Sequence, residues 1–343
     1  MLRESVLFAA CVLGVLGCQK AVEPVFVSSA ELQALKPELQ APIQKALVEN
    51  CATPAHPKML WRPEFDSRKL ELGYQVYQKR CVQCHGSSGD GRGPSAASLY
   101  PRPRDYRKGI FKFASTPFGT KPVRSDLILT VQRGIAGTSM PSFHLLPATD
   151  IEAVIDYVLA LTHRGELESQ LTTEVASADE FDEDILKDAL ALIQERWTQA
   201  DQAVYQPYSP QPVFTAEHIA AGRKAFLTKG CAQCHGEDGR GQTTENLKGD
   251  RQDAWGYPTR AADLTSGMLR GGPRPIDVYR RIYGGINGTP MPAFSITLKD
   301  EPDTIWNLVA YVLHVSGRRR SGEIPPSGNI APYITAAIPA PAK

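Results

Sequence analysis

The sequence predicts an all-α protein built from two small helical domains in tandem. Three observations lead there. Cys81-Val82-Gln83-Cys84-His85 returns as Cys231-Ala232-Gln233-Cys234-His235. Gly134-Ile135-Ala136-Gly137-Thr138-Ser139-Met140-Pro141-Ser142-Phe143 is matched by Gly285-Ile286-Asn287-Gly288-Thr289-Pro290-Met291-Pro292-Ala293-Phe294, with the methionines 55 and 56 residues after the two histidines. Self-similarity of this kind marks a duplicated unit. No sheet-forming pattern, nucleotide loop, hydrolase elbow or zinc-protease helix interrupts it, and nothing reads as a nucleic-acid-binding surface.

The pentapeptide carries the chemistry. In Cys-x-x-Cys-His, two thiols can add across the vinyl groups of a haem while the adjacent histidine ligates the iron. A zinc site would need a further Cys or His pair at ligand spacing, and none follows in either half. A thioredoxin-like redox pair would sit in a βαβ unit, and no such pattern surrounds either motif. A methionine alone is usually core filler. Met140 and Met291 instead sit in matching Gly- and Pro-rich loops, the setting of a thioether held toward iron. A sulfur sixth ligand raises the iron potential and closes the coordination sphere to substrates.

These residues give each half a resemblance to a class I c-type cytochrome domain, over about 105 residues: 61–165 and 214–318. Gly73 and Tyr77 precede the first motif, Gly222 and Phe226 the second. Tyr157, in a helix over Ile151–Leu161, and Tyr311, in a helix over Thr304–Val315, match the aromatic of the family's C-terminal helix. The chain thus resembles a tandem dihaem cytochrome of the bacterial lipoprotein-anchored kind. The resemblance implies two covalently bound haem c groups, held at Cys81, Cys84, Cys231 and Cys234. It implies iron ligation by His85 with Met140 and by His235 with Met291. The expected activity is electron transfer without catalysis or a small-molecule substrate. A quinol-oxidising complex or dehydrogenase would be the donor, and a terminal oxidase or reductase the acceptor. Two rivals stay open. One is a dihaem peroxidase-like enzyme in which His144, His163 or His314 replaces a methionine; the other is a permanently bound subunit of a redox complex.

The remaining segments follow in chain order. Residues 1–17 read as a targeting segment: Arg3 is the positive region, and Val6–Gly17 is apolar but too short to span a bilayer. Val15-Leu16-Gly17-Cys18 resembles a lipobox, so Cys18 is a lipid-attachment candidate. Ordinary cleavage and an uncleaved anchor are the alternatives. Lipidation would place the protein on the periplasmic side of a bacterial membrane. Of seven cysteines, only Cys51 is left without a role, either as a buried thiol or as an intermolecular bridge. The tether, 18–60, holds a helix over about 29–49, with Ser28 and Glu31 as its capping box and Leu32, Leu35, Leu39, Ile43 and Leu47 on one face. Pro37 and Pro42 should break it. Residues 166–213 form an acidic, partly helical linker with eleven acidic and two basic residues, against fifteen basic and nine acidic in 61–165. Ile185, Leu186, Leu190, Ile193 and Trp197 give its helix, 181–204, an apolar face. That helix is either simply solvated or packed on the basic first domain. Residues 319–343 read as a disordered tail. Gly89-Asp90-Gly91-Arg92-Gly93 and its counterpart from Gly236 read as turns passing close to a porphyrin. Arg92, Arg240 and Arg133 are propionate candidates, against the default of exposed arginines.

Overall fold

The computed structural model describes residues 24–62, 64–318 and 321. The targeting segment with Cys18 and most of the expected tail lie outside them. Among the described residues there is no strand, only isolated bridges pairing Ala52 with Pro57 and Gln252 with Pro258. No helix among them is long and apolar enough to cross a membrane.

The tether helix divides into α1 (Ala30–Gln33) and α2 (Pro37–Cys51). Its cap is Ser29, not the expected Ser28: the Ser29 hydroxyl accepts from the Leu32 amide at 3.2 Å. Pro37 makes the break by opening α2 at its first turn, where a missing N–H costs nothing. Pro42 does not interrupt it and lies inside α2.

The first haem-motif unit contains α3 (Ser67–Arg80), α4 (Val82–His85), α5 (Arg124–Arg133) and α6 (Ala148–Ala178). Here the structure corrects the expected boundary at residue 165. The last helix of the unit runs straight through it for 31 residues, about 46 Å. Two features carry it onward. Leu167, Leu171 and Val175 extend the apolar stripe and are completely buried. Gly165 serves a close approach, since a Cβ there would collide with the backbone of Arg107.

The continuation of α6 packs with α1, α2 and α7 (Glu183–Gln202) around a separate apolar core. Cys51 lies in this core as a buried free thiol, and burial pushes its pKa up to about 12. The acidic segment is therefore one side of a helical bundle continuous with the first domain. Its contact is apolar, through Ile193 and the expected face, while Trp197 Nε1 donates to Glu166 at 2.7 Å.

The second unit repeats the first with α8 (Ala216–Thr228), α9 (Cys231–His235), α10 (Thr244–Lys248), α11 (Pro275–Tyr283) and α12 (Pro302–Gly317). In each unit the first and last helices cross at a glycine. A Cβ on Gly73 would strike the Ala153 carbonyl, and one on Gly222 the Asn307 carbonyl. The aromatic pair one turn on is the same in both: Tyr77–Tyr157 and Phe226–Tyr311 have ring centroids 5.1 Å apart, at 54° and 59°.

The two units also touch each other. Arg133 pairs with the buried Asp277 at 2.8 Å, and Asn287 Oδ1 accepts from the Gly119 amide at 2.8 Å. Arg281 donates to the carbonyls of Lys112 and Ala114. Tyr205, at the end of the linker, reaches both sides: its amide donates to Ser115 and its hydroxyl to the Arg280 carbonyl.

Candidate haem sites

Each Cys-x-x-Cys-His motif folds as a single helical turn closed by a glycine. Gly86 and Gly236 adopt φ of +74° and +73°, a conformation open to glycine at no steric cost. The chain then doubles back. The amides of Gly91 and Gly241 donate to the carbonyls of His85 and His235 at 2.9 and 2.6 Å. One residue in the following loop is pinned identically in both units: the Tyr106 and Leu264 amides donate to the carbonyls of Gly89 and Gly239 at 2.7 and 2.8 Å. Two residues before that pin lies the carbonyl facing the imidazole. His85 Nδ1 is 3.4 Å from Arg104 O, and His235 Nδ1 is 3.0 Å from Ala262 O.

Such a bond fixes the imidazole orientation and leaves Nε2 for a metal. Both rings retain accessible surface yet are enclosed by protein, as befits side chains lining a concavity. The enclosure lowers the His235 pKa and pushes that of His85 down to about 4, so both rings are held neutral, the form that binds iron. Tyr106 stacks on His85 with centroids 4.6 Å apart. Burial pushes Cys81 up to about 12 and Cys231 up to about 11. That is the reverse of an activated redox thiol. The chemistry the motif offers such thiols is instead thioether formation with a haem c.

The methionine loops are equally alike. Met140 and Met291 accept at their carbonyls from Ile135 and Ile286 at 3.1 and 3.2 Å. Their amides both donate to a threonine hydroxyl, Thr138 or Thr289, at 3.2 Å. Gly134 and Gly285 turn the chain into each loop at φ of +67°. The loop exits are tied by Phe143 and Phe294, whose amides donate to Val131 and Ile282, both at 3.1 Å. Both methionine side chains are half-buried, and neither belongs to the three apolar cores among the described residues. The residues present therefore fit haem c twice: paired thiols, a neutral imidazole with Nδ1 engaged, and a stiff loop offering a thioether. No group of three or more His, Cys, Asp or Glu side chains among the described residues could hold a metal ion by itself.

The comparisons agree with this geometry. Residues 219–316 match the family described as cytochrome c, and residues 68–158 the family described as cytochrome c oxidase, cbb3-type, subunit III. The chain carries two cytochrome c domains in tandem. A cytochrome c domain binds haem c covalently and serves haem-based electron transfer. No curated protein matches the chain. Among solved structures, a chain of the Kuenenia stuttgartiensis reducing HAO-like protein complex is similar at 29% identity with a TM-score of 0.56. The likeness covers 71% of this chain and 96% of that one.

The structure places the other candidates around the cytochrome domains as follows. Arg133 is engaged by Asp277 across the domain interface, Arg92 is exposed and Arg240 is buried. Among the rival histidines, His144 is exposed and within 2.8 Å of Ser142 Oγ. His163 is buried between Trp61 and Trp197, at 4.5 and 4.8 Å, and His314 is exposed. The carbonyls of Arg104 and Ala262 were not foreseen. Their one sequence signal is a shared following aspartate, Asp105 and Asp263, each of which caps a short 3-10 turn. An isolated aspartate in two otherwise dissimilar loops is too faint a mark to find a backbone acceptor.

Proposed function

We propose that the protein is a dihaem electron carrier with both irons ligated by histidine and methionine, and that it is not an enzyme. The observation that supports this best is the matched hydrogen bonding of the two methionine loops, which gives both sites one design. Haem c, when bound, supplies the Fe(III)/Fe(II) couple. The chain's own residues do the rest. Cys81 and Cys84, and Cys231 and Cys234, fix the haems in place. The Arg104 and Ala262 carbonyls orient His85 and His235. The loops at Gly134 and Gly285 hold Met140 and Met291 as sixth ligands and keep substrates and water off the iron. Lipidation of Cys18 on the periplasmic side of a bacterial membrane completes the proposal. The donor would be a quinol-oxidising complex or dehydrogenase and the acceptor a terminal oxidase or reductase.

A second reading, a fixed subunit of a redox complex, is favoured by one observation: the structurally similar chain belongs to a protein complex and is matched over nearly all its length. Absorption spectra of the purified protein test the main reading. A pyridine haemochrome count of two, a weak ferric band near 700 nm, about where sulfur-ligated ferric haem absorbs, and no carbon monoxide shift are expected. Ready binding of carbon monoxide at one haem would replace the carrier with an enzyme. Co-purification with a stoichiometric partner would select the subunit reading.

A further inference from the structure

The two cytochrome domains differ at the one backbone carbonyl that faces the proximal histidine. In the second domain it belongs to Ala262, whose methyl side chain has no polar group for a partner to hold. In the first it belongs to Arg104, and the Arg104 side chain crosses into the second domain. Its Nη1 lies 2.7 Å from Asp253 Oδ2, and its guanidinium sits over the Trp255 ring at 4.6 Å. Asp253 is built for this role. Its side chain is 3% exposed, and its Oδ1 accepts from the Trp255 and Tyr257 amides, both at 3.1 Å. Lys112 of the first domain approaches the same Oδ2 at 3.5 Å. The Arg104 backbone is confined from the other side too, since a Cβ on Gly91 would meet its carbonyl group at about 3 Å. Trp255 Nε1 donates to Asp105 O at 3.1 Å and Lys108 donates to Ala254 O at 2.9 Å, so the second domain also grips the loop just after Arg104.

The positive charge here exceeds the negative. Arg104 and Lys112 both face the single carboxylate of Asp253, the charge of Arg270 acts on both of these cations, and desolvation followed by the charge of Arg104 pushes the Lys112 ammonium down to about 8. Removal of one partner from a buried pair strands the others, so loss of Asp253 would drive Arg104 away from its present position. The hydrogen bond from a ligating imidazole to its outer acceptor raises ligand basicity and tunes the metal.

We propose that Asp253, in the second domain, is a positioning residue for His85 in the first: it holds Arg104, and Arg104 holds the carbonyl that fixes the His85 ring. Docking of the second domain thereby sets the properties of the first haem through its histidine, whereas the Ala262 carbonyl facing His235 carries no side chain that could reach the first domain. The inference rests on His85 being a haem-iron ligand.

The test uses the full-length holoprotein labelled with 15N-histidine, in its ferrous, diamagnetic state. Asp253→Asn and Arg104→Met are compared with the parent by solvent exchange of the imidazole Nδ1–H and by redox titration of both haems. In both variants the His85 proton should exchange about tenfold faster, the change expected when a hydrogen bond of ordinary strength is weakened. The first haem's potential should rise in both, because a weaker imidazole donor stabilises ferric iron less. His235 and the second haem serve as the internal reference and should not move. The two substitutions change charge in opposite senses. Opposite potential shifts with unchanged His85 exchange would mean a field effect only and would overturn the proposal. Equal changes at both haems, or none at either, would overturn it as well. A parent protein lacking two covalent haems would overturn both the proposal and the functional reading, whereas two haems with an unmoved His85 proton would sink the clamp alone.

Discussion

At the scale of single residues, two predictions follow from features the two domains share and a third from His163 alone. Met140→Ala or Met291→Ala should lower the potential of its own haem and open that iron to carbon monoxide; an unchanged spectrum and potential would disprove the ligand. Gly73→Ala and Gly222→Ala force a methyl group against a carbonyl at the helix crossing, and overpacking of this kind costs about 1–3 kcal/mol. A fall in denaturation midpoint checks it. His163 gives the acid limb of stability. Burial, with Lys121 and Arg62 adding smaller effects, pushes its pKa from 6.5 down to about 3. The unfolded chain thus binds the extra proton between about pH 6.5 and 3. The stability present above that window is lost as pH falls through it. His163→Phe should lose less stability than the parent between pH 7 and pH 4 in urea titrations; equal losses would show that the ring is not the source. The paired Cys-x-x-Cys-His turns, the matching methionine loops and the crossing glycines are legible, because each recurs in both halves of the sequence. The carbonyls of Arg104 and Ala262 are not, since every residue has one.

Among the elements, α6 differs most from expectation. A charge count divides the chain at residue 165, because acidic side chains dominate beyond it. The structure ignores that division. Helix continuity depends on the buried stripe, and Leu167, Leu171 and Val175 carry it onward whatever the solvent face holds. Pro37 and Pro42 teach the same lesson about position: one opens a helix and the other sits within it. Leu171→Ala should therefore cost about 2–5 kcal/mol, although it lies well outside either cytochrome repeat. Chemical denaturation followed at both tryptophan fluorescence and the Soret band would show it. A loss seen by fluorescence with no change at the Soret band would mean that the bundle and the first domain unfold independently.

For the molecule as a whole, the asymmetry between repeats matters more than their likeness. The stretches that differ most in sequence, Pro101–Phe118 and Leu247–Pro273, supply much of the contact between domains. Their divergence marked a difference without revealing its purpose, since a sequence shows neither surface facing the other. With carboxylates as buried as Asp253 and Asp277 at the interface, the holoprotein should unfold in one calorimetric transition. Two resolved transitions would show a loose pair. The arrival of the chain at the folded body has its own consequence. Phe26 lies under the Arg164 guanidinium at 4.2 Å, the Val27 amide donates to Ser88 at 2.8 Å and the Ser29 amide to Glu168 at 2.6 Å. Those contacts fasten the start of the described chain beside the first haem-motif turn. A lipid on Cys18 would thus hold the body on a leash of eight residues, on the order of 25–30 Å at full stretch. On so short a leash the protein would patrol a thin layer above the bilayer, meeting partners at the membrane surface and leaving distant soluble ones to other carriers.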